Sequence, residues 1–255
     1  MTEILLDTNY WICFKDERRE LFEEFEELVQ EKDIEVLFSF GSFIDLVKRD
    51  EQDELAEMIP SVVSEYITPQ EYKDDHYSYS TNPLDLIPDE EIKEEARLRT
   101  RGLDDADTLK HMFEVSGWEG VEEYKESIQY LKSVQKEHGK KYVLALLFDV
   151  KPENPVIYPQ EEGRSEMVAN TVITNRIAVL DPHENIKYSD VADIEICIHA
   201  LITNCDILLI ESKWKNVELL ESTMDDLSSS TEIEVLDQID EFMDRLREIE
   251  NDSGQ

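Results

Sequence analysis

The sequence predicts a three-layer α/β/α protein, in which helices cover both faces of a central parallel sheet and a large, mainly helical insertion interrupts the chain. Short apolar runs alternate with helical patterns near the N-terminus, which is typical of parallel strands joined by crossover helices. The same alternation returns near residue 188, after a long stretch of different character. We therefore divide the chain into a domain in two parts, 1–68 and 183–222, an insertion, 69–182, and a C-terminal acidic amphipathic helix with its tail, 223–255.

Two strands and two helices are predicted near the N-terminus. A short apolar run, 4–6, is typical of a buried strand, and Asp7 follows it directly. Apolar residues at helical spacing predict a helix over about 16–32. The apolar run 34–40 predicts the second strand, and a helix that contains Asp45 should follow it.

The insertion lacks this alternation and is predicted to be mainly helical. Helical patterns occupy four segments, about 90–101, 104–116, 119–138 and 163–180. The apolar run 141–150 fits either a strand or a buried helical turn, and periodicity does not decide between the two.

The α/β pattern then returns in the second part of the domain. A largely buried helix is predicted from Asp190 to about Thr203, with a turn at Asn204 and a strand that ends at Glu211. Near the C-terminus, apolar residues spaced alternately by four and three form one narrow stripe, which either packs on the chain's own domain or supports a homodimer. The stripe consists of Val235, Ile239, Phe242, Leu246 and Ile249.

The charge balance is the most unusual property of the composition. The chain has 62 acidic and 25 basic residues among 255, and its net charge is −37 at neutral pH. Such a surface repels itself in dilute salt, whereas in about 1 M salt the Debye length falls to about 3 Å and screens much of the repulsion. Because the acids are spread along the whole chain, we expect a halophilic protein. The alternative is a mesophilic acidic protein that mimics nucleic acid or binds a basic partner, for which local acidic blocks would be expected.

Cysteine usage and apolar content favour a cytoplasmic protein. Cys13, Cys197 and Cys205 are odd in number and lack paired spacing, and no signal-peptide pattern is present, so we expect no disulfide bonds. The longest apolar stretch, 194–210, is interrupted by charged residues and is too short to cross a membrane. The five histidines show no zinc-binding spacing.

Four carboxylates that are distant in sequence are predicted to meet at one edge of the sheet. Asp7 and Glu211 directly follow the first and the last strand. Asp45 lies in the helix after the second strand, and Asp193 lies near the start of the helix that leads into the last strand. The carboxyl ends of parallel strands share one edge, and a helix that leads into such a strand begins at that edge.

A cluster of this kind needs a cation, because neighbouring carboxylates raise one another's pKa. Mg²⁺ and Mn²⁺ prefer oxygen ligands, and either ion can activate water for hydrolysis of a phosphodiester. Acids are so frequent in this chain that each of the four could equally belong to the solvated surface. Asp190 shares a helix face with Asp193 and is the reserve candidate for the third metal ligand.

Three segments resemble the motifs of the PIN-domain nuclease family. ILLDTNYWICF is similar to the family's opening strand, in which an LDTN-type motif supplies the first metal-binding aspartate, here Asp7. FSFGSFIDLVKR resembles the second motif, in which an acid follows a serine by six residues, here Ser39 and Asp45. DIEICIHALITNCDILLIES resembles the third and fourth motifs, which supply Asp193 and Glu211.

The resemblance covers about residues 2–60 and 186–222. It implies a PIN-like fold and a metal-dependent endoribonuclease that uses Mg²⁺ or Mn²⁺ and cleaves RNA. It also implies that Thr8, Asn9 and Ser39 do not bind the metal directly but help to hold its ligands in position. Pairing with an antitoxin or with another protein is a further consequence of the resemblance.

Three positions depart from the family pattern. Leu209 stands where the family usually has Thr or Ser, and Glu211 stands where Asp or Asn is common. Asp45 is shorter than the Glu that often supplies the second acid. These departures favour a second hypothesis, in which the chain is a catalytically degenerate PIN-like module for binding or assembly.

Basic residues are scarce, so their positions near the acids or in local clusters are informative. We expect several of them to form a small basic rim that contacts RNA phosphates. The alternative is ordinary ion pairing with the abundant acids nearby. The residues predicted for the rim are Lys48, Arg49, Arg97, Arg101 and Lys213.

Overall fold

The computed structural model has an α/β architecture around a mixed, six-stranded central sheet. The arrangement of its helices is consistent with three layers, α/β/α, as the sequence predicts. The structure describes residues 1–47, 52–68, 79–87, 89–115, 119–147, 164–181, 183–211, 214–227 and 233–249.

The strands are β1 (Thr2–Leu6), β2 (Ile34–Ser39), β3 (Val63–Ile67), β4 (Tyr79–Ser80), β5 (Ile207–Leu209) and β6 (Glu234–Leu236). Their order across the sheet is β4-β3-β2-β1-β5-β6. β1 lies at the centre and pairs in parallel with both β2 and β5. The prediction of a wholly parallel sheet is wrong at one edge, because β4 runs antiparallel to β3. The connection over 68–78 is short for the crossover that a parallel strand would need.

The helices of the first part of the domain are α1 (Thr8–Asp16), α2 (Arg19–Glu31), α3 (Phe40–Leu46) and α4 (Asp53–Val62). Those within 69–182 are α5 (Glu90–Arg99), α6 (Asp105–Val115), α7 (Glu119–His138), α8 (Lys140–Leu147) and α9 (Arg164–Val179), with a 3-10 turn at Pro83–Leu86. The remaining helices are α10 (Tyr188–Thr203), α11 (Trp214–Leu227) and α12 (Ile239–Glu248). Within these described ranges, no helix is long and apolar enough to cross a membrane.

The central strands are buried on both faces, which explains their continuous apolar runs. All three apolar residues of β1, Ile4 to Leu6, are fully buried, and Leu37 and Phe38 of β2 are buried as well. A strand of an α/β sheet is covered by helices on both sides, so its sequence does not alternate between apolar and polar residues. Asp7 and Glu211 lie beyond the ends of two of these strands.

The first helical segment is longer than the sequence predicts and is divided in two. α1 begins directly after Asp7, and α2 covers most of the predicted range 16–32. The chain turns between them at Glu17, whose N–H donates to the carbonyl of Cys13. The ring of Phe14 stacks on that of Phe25, with 5.3 Å between their centroids, so the two helices pack together.

The insertion contains the predicted helices, and the ambiguous run 141–150 is helical where it is described. α5, α6, α7 and α9 agree with the four predicted helical segments to within a few residues. α8 takes up the start of the ambiguous run, and the positions after Leu147 lie outside the described residues. The insertion also supplies β4, which extends the sheet at its edge.

The sequence predicts an amphipathic helix for the C-terminal segment, but the segment first adds a strand to the sheet. β6 pairs in parallel with β5, and α12 follows it. Phe242 and Leu246 of the predicted apolar stripe are fully buried, and the Phe242 ring lies 5.9 Å from that of Phe25. The stripe therefore packs on the chain's own domain and is not available as a dimer surface.

Lys32 caps the C-terminal end of α12. Its ammonium donates hydrogen bonds to the carbonyls of Leu246, Arg247 and Ile249, at 2.9, 2.6 and 2.8 Å. A cation at a helix C-terminus satisfies carbonyls that have no partner within the helix and interacts favourably with the helix dipole.

Replacement of this lysine should destabilise the fold modestly. We expect Lys32→Met to lower the free energy of unfolding by about 1–2 kcal/mol and to increase amide exchange in α12, because the carbonyls lose a charged donor. Denaturant unfolding and hydrogen exchange measure both effects. Lys110→Met removes a partly exposed lysine that pairs with Asp53 and so matches the change in net charge. Equal losses in the two variants would contradict the capping role.

Candidate functional site

The ends of two neighbouring central strands bring Asp7 and Glu211 together. Leu6 lies opposite Leu209 in the parallel pairing of β1 with β5. Asp7 is the next residue after β1, and its N–H donates to the carbonyl of Leu209 at 2.9 Å. The N–H of Glu211 in turn lies 3.5 Å from the Oδ2 of Asp7. The two acids are thus adjacent at the carboxyl edge of the sheet, as the sequence predicts.

The start of α10 brings Asp193 to the same edge. α10 leads into β5 through a turn at Asn204, which adopts the left-handed conformation with φ of 57°. A helix that leads into a parallel strand runs antiparallel to it, so the first turns of α10 lie at the carboxyl ends of the strands. Asp193 is half-buried there and is close enough to Asp7 to act on it electrostatically.

Asp7 has a strongly raised pKa. Its side chain is buried, and burial raises its pKa from 3.8 to about 7. The negative charges of Asp193 and Glu211 act in the same direction, whereas hydrogen bonds from the backbone N–H groups of Glu211 and Thr8 oppose the rise. The charges of two other predicted acids, Asp193 and Glu211, therefore both act on Asp7.

Asp193 and Asp190 are both bound by an arginine that the sequence analysis did not single out. The Nη2 of Arg176, on α9, lies 2.5 Å from the Oδ2 of Asp193 and 3.2 Å from the Oδ1 of Asp190. Arg176 is only 4% exposed. The other oxygen of Asp190 accepts from the N–H of Lys187 at 2.8 Å, so both of its oxygens have partners. Both candidates for the third metal ligand are therefore bound by the same arginine.

Asp45 lies in α3, which packs tightly against α10. A Cβ atom added to Gly41 would lie only 2.6 Å from the carbonyl oxygen of Ala192, so the two backbones are close. Asp45 is half-buried near the end of α3. Its helix is thus held beside the helix of Asp193, and direct participation of Asp45 in the site stays a prediction.

Ser39 supports α3 through a buried polar network. Its Oγ accepts from the N–H of Gly41 at 2.9 Å and lies 2.8 Å from the Nδ1 of His199. The Nε2 of His199 lies 3.5 Å from the carboxylate of Glu195. Burial lowers the pKa of His199 to about 3, so the imidazole is neutral. The three side chains have the composition of a nucleophilic triad, but all are buried, and their contacts join β2 and α3 to α10.

Thr8 and Asn9, which were expected to support the first motif, differ in their surroundings. The Oγ1 of Thr8 is buried and has no hydrogen-bond partner among the described residues. Asn9 is half-buried and lines a cleft of about 520 Å³ with Glu211. Cys13 and Asp237 also line the cleft. Of the four predicted acids, Glu211 lines this cleft.

The described side chains do not form a finished metal-binding set. Across the described ranges of the chain, no group of three or more acidic, histidine or cysteine side chains is arranged to hold a metal ion. The ion pair of Asp193 with Arg176 is one physical reason, because it directs an oxygen of that carboxylate toward a guanidinium.

The predicted basic rim is only partly described. Lys48, Arg49 and Lys213 lie outside the described residues. Arg97 is exposed and pairs with Glu94 in its own helix, and Arg101 is exposed. The alternative interpretation, ordinary ion pairing with nearby acids, therefore holds for Arg97.

Arg176 was not identified from the sequence, because its partners lie 14 and 17 residues away on another helix and follow no local spacing rule.

Comparison with known proteins gives no guide to this site. No protein-family model, curated protein or solved structure matches the chain. Its function must therefore be inferred from its own side chains and their surroundings.

Proposed function

We propose that this chain is a PIN-like endoribonuclease that depends on Mg²⁺ or Mn²⁺, with Asp7, Asp193 and Glu211 as metal ligands and Asp45 as the fourth. The observation that carries the proposal is the meeting of Asp7, Asp193 and Glu211 at the carboxyl edge of the sheet. Parallel topology brings these positions to one edge but does not require acids there, and a buried aspartate beside two other acids is costly unless a cation neutralises it. The resemblance of the sequence to PIN-domain motifs supports the same assignment.

The residues present fit a divalent cation in donor type and in charge. Carboxylate oxygens are the ligands that Mg²⁺ and Mn²⁺ prefer, and the unpartnered, buried Oγ1 of Thr8 beside Asp7 offers one more oxygen. A bound divalent ion supplies Lewis acidity and lowers the pKa of bound water.

The chain's own groups would have separate roles in this chemistry. Asp7 would act as a ligand in its ionised form, which the backbone N–H groups of Thr8 and Glu211 favour. The cleft beside Glu211 would admit the substrate. Its carboxylates repel phosphates, so approach of RNA would depend on neutralisation by the cation and on screening by salt. Molar KCl is therefore the appropriate medium for assays of a chain with a net charge of −37.

A second function remains a competing proposal, a catalytically degenerate PIN-like module for binding or assembly. The contact that favours it is the ion pair of Arg176 with Asp193, since a buried guanidinium already neutralises one of the proposed ligands. An antitoxin or another protein would be the partner of such a module.

Replacement of the central ligand separates the two proposals. We expect wild-type protein in molar KCl to bind Mn²⁺ and to cleave RNA. Asp7→Asn should weaken Mn²⁺ binding by about 100-fold or more, because it removes a charged ligand, and cleavage should fall at least as far. Calorimetric Mn²⁺ titration and a labelled-RNA cleavage assay measure the two effects. Asp225→Asn, which removes an exposed acid on α11, is the matched control.

Two outcomes would decide against the nuclease. Cleavage at the wild-type rate by Asp7→Asn would show that the catalytic assignment is wrong. A folded wild-type protein that binds no Mn²⁺ would favour the binding module instead.

A further inference from the structure

Arg176 is the part of the acidic edge for which the nuclease proposal does not account. It is contributed by α9, within the insertion, yet its partners lie on α10 of the α/β domain. A side chain of the insertion is therefore built into the same edge that holds Asp7 and Glu211.

The contact differs from the local ion pairs of this chain. Arg97 and Arg99 pair with acids three or four residues away on exposed helix surfaces, where an ion pair contributes little to stability. Arg176 is almost fully buried and bridges two carboxylates with one nitrogen. Burial of a guanidinium costs free energy unless nearby carboxylates compensate its charge.

The charge of Arg176 acts in the neighbourhood of the proposed metal ligands. Cys197 lies one helical turn after Asp193, and burial raises the pKa of its thiol. The charges of Asp193 and Asp7 raise that pKa further, whereas the charge of Arg176 lowers it. The pKa of the Cys197 thiol therefore depends on the charges of Arg176, Asp193 and Asp7 together.

A second buried cation from the insertion lies near Asp190. Lys132, on α7, donates to the carbonyl of Glu184 at 2.6 Å. Burial lowers its pKa, and the charge of Asp190 opposes that change. The insertion thus places two cations, Arg176 and Lys132, beside the start of α10. The charge of Asp190 interacts with both of them.

We propose that Arg176 is the resident counter-cation of this edge and that a divalent ion binds Asp193 in competition with it. The inference rests on the proposed function and adds how the insertion sets the affinity of the site for metal. The Nη2 of Arg176 holds the Oδ2 of Asp193, and a guanidinium and a metal ion repel each other, so a metal ion that binds this oxygen competes with the arginine for it. Asp190 then retains Arg176, which gives this acid a role other than that of a ligand.

Removal of the competing charge should strengthen metal binding. We expect Arg176→Gln to bind Mn²⁺ at least about tenfold more tightly than wild type in molar KCl, a change of the size seen when groups around metal ligands are altered. Arg176→Lys keeps the charge and should return the affinity toward the wild-type value. Mn²⁺ titration without RNA, followed by calorimetry or by the paramagnetic signal of free Mn²⁺, gives a readout that is independent of activity. Arg245→Gln, which removes a partly exposed arginine paired with Glu234, controls for net charge.

Asp190→Asn provides a test in the opposite direction that keeps the buried arginine in place. Arg176 then has Asp193 as its remaining acidic partner of the two, so Mn²⁺ binding should weaken severalfold. The double variant Asp190→Asn, Arg176→Gln should bind Mn²⁺ as tightly as Arg176→Gln alone, because Asp190 acts only through the arginine. A double variant that binds more weakly would make Asp190 a ligand and would overturn the role assigned to it.

The outcomes separate this inference from the proposed function. If wild type binds Mn²⁺ through Asp7 and Arg176→Gln binds it no more tightly, the competition is wrong and the metal site stands. If neither protein binds Mn²⁺, the metal site itself is wrong, and the competition falls with it. If Arg176→Gln does not fold, unchanged or tighter Mn²⁺ binding by Asp190→Asn overturns the competition.

Discussion

Asp7→Asn is expected to stabilise the metal-free protein by about 4 kcal/mol at about pH 8, although the proposed function predicts that the same change weakens Mn²⁺ binding. Folding raises the pKa of Asp7 from 3.8 to about 7. Between these values the folded state holds a proton that the unfolded state has lost, so the free energy of unfolding falls as pH rises through this window. Each pKa unit corresponds to about 1.36 kcal/mol, and the full cost is present above about pH 7. Asparagine has the same shape and carries no charge, so it avoids this cost.

Denaturant unfolding in molar KCl with a chelator measures the effect. Asp7→Asn and wild type should be nearly equal at about pH 4 and should diverge as the pH rises to about 8. The control Asp225→Asn removes an exposed acid and so accounts for the general relief of repulsion in this acidic chain. If Asp7→Asn is no more stable than this control at the higher pH, the carboxyl is not buried in an acidic environment.

Gly41→Ala is expected to destabilise the protein by about 2–3 kcal/mol. The added Cβ would lie 2.6 Å from the carbonyl oxygen of Ala192 and 2.9 Å from the Cγ1 of Ile196. Overpacking of this kind typically costs about 1–3 kcal/mol, and here the first obstacle is backbone that cannot rotate away. Alanine favours a helix over glycine by about 1 kcal/mol, which offsets only part of the cost.

The same substitution should reduce metal affinity, because it pushes α3, with Asp45, away from the helix that carries Asp193. Thermal unfolding and Mn²⁺ titration report the two effects separately. A Gly41→Ala protein with wild-type stability would show that α3 and α10 are not in close contact.

The sequence was most informative where burial alone determines structure. The strands β1, β2 and β5 and the helix α10 were predicted because both faces are covered, so their apolar residues form continuous runs. β6 was missed because Val235 fits the spacing of the helical stripe that follows it. Its three residues form a strand only because the edge of β5 is available for pairing. α1 was missed because it begins directly after β1, without a loop to mark its start.

The candidate site could be predicted in part for a similar reason. Asp7 and Glu211 follow strand ends, and parallel topology brings such positions together. Arg176 could not be predicted, because its contact depends on how α9 packs against α10. The network of Ser39, Glu195 and His199 likewise joins residues from distant segments, and only Glu195 and His199 share a local spacing.

The pairing of β1 with β5 has a consequence for the order in which the protein is made. Ile4 pairs with Ile207, about 200 residues later, so at roughly 5–20 residues per second β1 waits about 10–40 s on the ribosome for its second neighbour. Asp7 is synthesised at the beginning of this interval and Glu211 just after its end. Arg176 emerges before both Asp190 and Asp193, so the cation precedes the acids that it neutralises. The cluster of carboxylates is therefore completed late in synthesis, when its counter-charge is already present in the chain.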